Sequence, residues 1–270
     1  MLTILYDSTF DGFLSVVFEI YRQRLDVDSI CPDRSSDGIP GDMFLQPFRV
    51  ETSEESARRL KRAIVNEAGE DILMTLDAAY RSEEPGIEMK IFNYLKRLFS
   101  GVDKKFARNP TSAEMLPLFK IAGSVRREAG NMLGMVRFAK TADGTYFSEI
   151  EPKYDILEFM IGHFRGRFAN ERWAIYDSKR KFGVYYDGHS ASEVFIPNLE
   201  AVTAETPPDM ITQLWKEYYD AIAIKERFNP RLLRRCLPVR YWKHLPERQP
   251  GGLSNLQSGG LSNLQPGVAC

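Results

Sequence analysis

The apolar spacing of the chain changes period near Leu133, and that change restricts the folds open to it. Before it, apolar residues recur three and four apart: Phe13, Val16, Val17, Ile20 and Tyr21 mark one helix, and further helical patterns cover residues 52–67, 71–80, 88–99 and 117–133. After it, the alternating runs GMVRFAK and TYFSEI flank Ala142, Asp143 and Gly144, and an Asp-Gly pair between alternating runs is a strong hairpin signal. WAIYD and GVYYD form a second such pair around SKRK, with SEVFIP as a candidate third strand. Between the hairpins, Pro152 opens a helix in which Tyr154, Leu157, Ile161, Phe164 and Phe168 share one face. Pro207 and Pro208 introduce a last long helix reaching about Phe228. No strand, helix, strand rhythm repeats, which disfavours a full Rossmann fold. The expectation is α+β: a mostly antiparallel sheet with flanking helices in a single globular unit.

The two ends differ in kind. Residues 2–6 read as a short buried strand, with Asp7, Ser8, Thr9 and Asp11 as cap candidates for the helix after it. A polar loop at 31–42 leads to an extended run at 43–50, and Thr52 and Glu55 are spaced as a capping box. At the other end GGLSNLQ occurs twice, and residues 251–270 carry no charge. Two copies are too few to stack into a solenoid, so residues 1–249 are expected to form one domain and 250–270 a disordered, low-complexity tail.

Composition narrows the classes further. Three cysteines, Cys31, Cys236 and Cys270, lie far apart, which argues against a zinc site or a disulfide framework. The first residues lack a basic segment ahead of an apolar run, and no apolar run approaches about 18 residues. A cytoplasmic protein with reduced thiols and no membrane partner is expected. GxGxxG, GxxxxGK[ST], HExxH and GxSxG are all absent, and no metal or cofactor is expected for this chain.

With 36 Lys and Arg against 37 Asp and Glu, the net charge says nothing about nucleic acid, so local distribution has to decide. Residues 163–189 hold six Lys or Arg and seven aromatics. Arg165 and Arg167 fall near a helix C-terminus, and Lys179, Arg180 and Lys181 fall in a hairpin loop. Guanidinium groups give two hydrogen bonds to two phosphate oxygens, and Trp173, Tyr176, Tyr185 and Tyr186 could stack on bases. The same residues equally suit a helix dipole, a solvated loop and strand packing. Gly162 and Gly166, one turn apart in that helix, imply a close approach, by another backbone or by a phosphate.

Residues 225–248 hold eight Lys or Arg against Glu226 and Glu247 alone. Pro230, Pro238 and Pro246 break this segment into short turns, with Leu232, Leu233, Leu237 and Leu245 as anchors. Arg231, Arg234 and Arg235 precede Arg240, Tyr241, Trp242 and Lys243, where cation and ring alternate as in single-strand sites. The other reading is a C-terminal clasp with Tyr241 and Trp242 on the core and the cations solvated. His163 borders an apolar stripe, and Asp177 is able either to orient it or to pair with Arg180.

Three strings taken together carry a family likeness: YDSTFDGFLSVVFEIY, then VRFAKTADGTYFSEIEPKYDILEFMIGHFRGRFANERWAIYDSKRKFGVYYD, then NPRLLRRCLPVRYWKHLPE. They resemble a bacterial family assigned to DNA metabolism or repair whose domain is labelled as of unknown function, over roughly residues 1–247. Members of that family occur beside a radical SAM protein thought to modify or repair DNA, and some are fused to a uracil-DNA glycosylase-like domain. The family pattern often has a histidine just after the glutamate that is Glu128 here, where this chain has Ala129 and Gly130. The repeats after Gln249 lie outside the pattern.

The resemblance implies a DNA-associated accessory protein that binds nucleic acid, docks to a radical SAM or glycosylase-like partner, or does both. The basic groups at 165–181 and 231–243 would contact phosphate, and Trp173, Tyr176, Tyr241 and Trp242 would stack. The rival from another class is an enzyme acting on a base or nucleotide, with His163 as acid or base and Asp177 orienting it. A third reading is an interaction protein whose basic C-terminal segment binds an acidic protein surface. The chain has no three-cysteine cluster, so any iron–sulfur centre would belong to the partner.

Overall fold

The computed structural model describes residues 2–33, 48–101, 109, 112–195 and 229–248. The expected helix at 207–228 and the tail at 250–270 lie outside the described residues. The chain divides into two compact units, Met1–Arg127 and Glu128–Cys270.

The first unit opens with strand β1 (Thr3–Tyr6), helix α1 (Phe10–Gln23) and strand β2 (Ser29–Pro32). Strand β3 (Phe48–Arg49) precedes helices α2 (Glu54–Ala68), α3 (Glu70–Tyr80), α4 (Ile87–Phe99) and α5 (Met115–Leu133), the last of which runs past the division. The sheet order is β2-β1-β3, with both pairings parallel. Helix α1 is long enough to return the chain for a parallel partner, as a βαβ crossover requires. Thr9 caps α1 by accepting from the Gly12 amide at 2.9 Å. At α2 the cap is one residue later than the capping-box spacing predicts: Ser53 accepts from the Ser56 amide, while the Thr52 hydroxyl donates to Asp7 at 2.6 Å. Ile4, Leu5, Phe13, Val16, Val17, Leu60, Ile64, Leu76, Ile91 and Leu95 form the core.

The second unit holds β4 (Ala139–Lys140), β5 (Tyr146–Ile150), α6 (Leu157–Arg167), β6 (Trp173–Asp177), β7 (Phe182–Tyr186) and β8 (Ala191–Val194), ordered β4-β5-β6-β7-β8. The three hairpin pairings are antiparallel, the first at the expected Asp143-Gly144 turn, where Gly144 has φ 84°, and the second around SKRK. β5 and β6, however, are parallel, because α6 carries the chain back across the sheet between them. The fold is therefore α+β, and the expectation of a mostly antiparallel sheet is corrected: one sheet is wholly parallel and the other mixed.

Leu157, Met160 and Phe164 seat α6 on one face of the second sheet, the Phe164 ring lying 6.0 Å from that of Trp173. Phe147, Ala174 and Tyr176 cluster together, with Tyr185 packed against them. Helix α7 (Pro230–Cys236) and two 3₁₀ turns, Val239–His244 and Pro246–Arg248, complete the unit.

Candidate functional site

Helix α6 turns its least ordinary residues outward. Helical spacing sets Gly162 and Gly166 opposite buried Met160 and Phe164, so the two glycines form its outermost ridge. A methyl group added at either would meet no described atom within 4 Å. The close approach that the glycines imply is therefore not made within the described part of the chain. Arg165 flanks the ridge on one side, and His163 and Arg167 flank it on the other. All three side chains are exposed. The guanidinium of Arg165 lies 6.0 Å from the Tyr186 ring centroid and that of Arg167 lies 5.8 Å from that of Phe168, which props both over aromatic faces. Neither arginine is paired with a carboxylate among the described residues.

The remaining basic residues of this stretch go elsewhere. Lys179, Arg180 and Lys181 sit in the turn at the far end of β6, roughly 13 Å of strand from the end that follows α6. Arg180 is structural: its guanidinium donates to the Asp177 carboxylate at 2.7 Å and to the carbonyls of Lys153 at 3.0 Å and Pro152 at 3.4 Å. Lys179 donates to the Lys153 carbonyl at 2.8 Å, while Lys181 is exposed. Trp173 and Tyr176 are 1% and 5% exposed, which corrects the expectation that they stack on bases. Both faces of β6 are covered, so neither ring face is reachable from solvent.

The C-terminal segment is built as a clasp. The Glu128 carboxylate, 7% exposed, accepts from the backbone amides of Lys153 at 2.9 Å and Tyr154 at 3.0 Å, and from the Tyr241 hydroxyl. Burial, and then the neighbouring Glu128 carboxylate, push the Tyr241 phenol well above its usual range. Arg240 reaches Glu128 at 3.4 Å, Lys243 pairs with Glu151, and Arg137 pairs with buried Glu247 at 2.8 Å. Tyr241 is thus a core residue and not a stacking platform. Trp242, half-buried, donates to the Leu237 carbonyl at 3.0 Å and carries Arg248 over its ring. Arg231, Arg234 and Arg235 on α7 are left exposed. No pairing of Glu128, Arg137 or Glu247 was expected from sequence, because their partners are remote in the chain.

His163 and Asp177 do not form a pair. Asp177 is fully buried and accepts from Arg180 and from the amides of Lys179 at 2.9 Å and Arg180 at 3.2 Å, while His163 stands on the solvent side of α6. Burial raises the Asp177 carboxyl even beside that guanidinium. The first unit carries a separate polar network at the carboxyl end of β1. There the Tyr6 hydroxyl lies 3.0 Å from that of Tyr80 and donates to buried Glu88 at 3.1 Å. Nearby, Asp7 accepts from Thr9 and Thr52; burial opposes its charge, but these hydrogen bonds hold its carboxyl below the usual range.

Among the described residues there is no cluster of three or more His, Cys, Asp or Glu able to hold a metal ion, and no helix is long and apolar enough to cross a membrane. No curated protein and no solved structure matches the chain. A family model does match, over residues 85–247, a stretch that begins just before α4 and ends within the clasp and that takes in well over half of the chain. The chain therefore belongs to the DUF4130 family, described as a domain of unknown function.

Proposed function

We propose that this protein is an accessory factor of DNA repair or DNA metabolism, cytoplasmic, that binds nucleic acid along the outer ridge of α6 and works with a radical SAM or uracil-DNA glycosylase-like partner. The partner classes rest on the sequence resemblance. The nucleic-acid reading rests on one observation: two exposed glycines one turn apart, flanked by Arg165 and Arg167, which no carboxylate among the described residues neutralises. Each glycine costs a helix about 1 kcal/mol relative to alanine, and no contact among the described residues offsets that cost. A bare backbone ridge admits a phosphodiester chain closely, and the flanking guanidinium groups fix the sign of what approaches.

Fluorescence-anisotropy titration against labelled single-stranded and duplex DNA at two salt concentrations tests this. Affinity should fall with rising salt, and Arg165→Ala with Arg167→Ala should lower the duplex salt slope by about 2, one per lost phosphate contact. Absence of binding at low salt removes the proposal.

A further inference from the structure

Helix α7 stands out among the described helices for its exposure. It is seven residues long with none buried, too short to be stable as an isolated helix. Local devices hold it: the Asn229 side chain accepts from the Arg231 and Leu232 amides at 3.1 and 3.0 Å, and Pro230 occupies the first turn. Arg231, Arg234 and Arg235 are spaced i, i+3 and i+4, so they stand on one face roughly 5–6 Å apart. None of the three is paired with a carboxylate among the described residues. Their neighbours differ: Arg240, Lys243 and Arg137 are matched by Glu128, Glu151 and Glu247. Among the described residues, the cations of the clasp are matched by carboxylates and those of α7 are not.

Leu232 on the same helix is 54% exposed, and Val239, three residues past its end, is 55% exposed. A phosphate backbone gains nothing from two aliphatic side chains, whereas a protein surface buries them. Arginine is enriched at protein–protein hot spots, and exposed aliphatic side chains lose their contact with water when a partner docks. We infer that α7, with Val239, is the docking surface for an acidic segment of a partner protein that carries aliphatic side chains. Its carboxylates would take bidentate hydrogen bonds from Arg231, Arg234 and Arg235, and its aliphatic groups would cover Leu232 and Val239. This rests on the proposed function only in that a protein partner exists; it does not require that α6 bind DNA.

The probe is a labelled synthetic helical peptide of alternating Glu and Leu clusters, compared with one in which every Leu is Ser and with a labelled DNA duplex, all titrated with the full chain. The Glu/Leu peptide should bind. Leu232→Ser should weaken it about tenfold, and Arg231→Ala with Arg234→Ala and Arg235→Ala should abolish binding, while duplex affinity stays within about twofold. Because none of these side chains is buried, an unchanged melting temperature checks the fold of each variant. The inference is overturned if the Glu/Leu peptide does not bind, if the Ser peptide binds as well, or if the triple variant loses DNA and keeps the peptide; the last result would make α7 a nucleic-acid surface. Arg165→Ala with Arg167→Ala should affect only the DNA arm, so failure of the α6 reading is seen separately.

Discussion

The guanidinium of Arg180 closes a 2.7 Å hydrogen bond on the carboxylate of Asp177, which is fully buried at the end of β6. Two amides of the following turn complete the shell of that carboxylate, and Arg180 itself is tied to two carbonyls after β5. A residue that reads in sequence as a loop cation is therefore a staple between β6 and the chain leaving β5.

Removing one partner of a buried pair leaves the other charge uncompensated, so Arg180→Ala should lower unfolding free energy by about 3 kcal/mol in urea titration. Arg165→Ala and Arg167→Ala should change it by less than about 0.5 kcal/mol. Equal stability of all three variants would contradict the assignment of Arg180 to structure.

Glu128→Ala removes the acceptor shared by the Lys153 and Tyr154 amides and the Tyr241 hydroxyl, all at a buried site. A loss of about 2 kcal/mol is expected, together with faster proteolytic cleavage within residues 229–248. Unchanged cleavage there would show that the clasp is held by other contacts.

His244 belongs to the clasp, and its Nε2 atom is buried with no hydrogen-bond partner among the described residues, 3.9 Å from Glu151, too far for a hydrogen bond. Burial lowers its pKa; Glu149 opposes that shift and Lys243 adds to it. The unfolded chain therefore takes up a proton first as pH falls below about 6.5. Stability from this site is complete above that pH and declines below it. Urea titrations at pH 7.5 and 5.5 should show a drop that is smaller in His244→Gln. An identical drop in the variant would assign the acid sensitivity to another group.

Much of the second unit was legible because its signals are local. Asp143 and Gly144 make a turn wherever they stand: Gly144 takes positive φ, and the Asp143 carboxylate accepts from the Thr145 amide at 3.2 Å and hydroxyl at 2.8 Å. The stripe of α6 was legible only in part: Leu157 and Phe164 are buried as their spacing implies, but Ile161 and Phe168 are half-buried, Met160 joins the buried face, and the helix starts at Leu157 and not at Pro152. The parallel pairing of β5 and β6 was not legible, since strand direction is set by how the chain crosses the sheet and not by the strand residues. WAIYD did carry an unused signal: Trp173 to Tyr176 run as four residues with no alternating charged position, the mark of a strand covered on both faces, which buries Trp173 and Tyr176. Tyr241 and Glu128 are 113 residues apart, and nothing in either neighbourhood names the other. Gly162 and Gly166 stood out as a cost in the sequence, but only the structure places them on the solvent side of α6.

The most direct test of the account sets stability against binding in one variant. Gly162→Ala with Gly166→Ala should raise unfolding free energy by about 1 kcal/mol per site, because both methyl groups enter open space on a helix. The same methyls stand on the ridge proposed to meet the phosphate backbone. Anisotropy titration with DNA at low salt should therefore show affinity reduced about tenfold in a protein that is more stable than the parent. A stabilised variant that binds DNA as tightly as the parent would contradict the α6 ridge as the nucleic-acid surface.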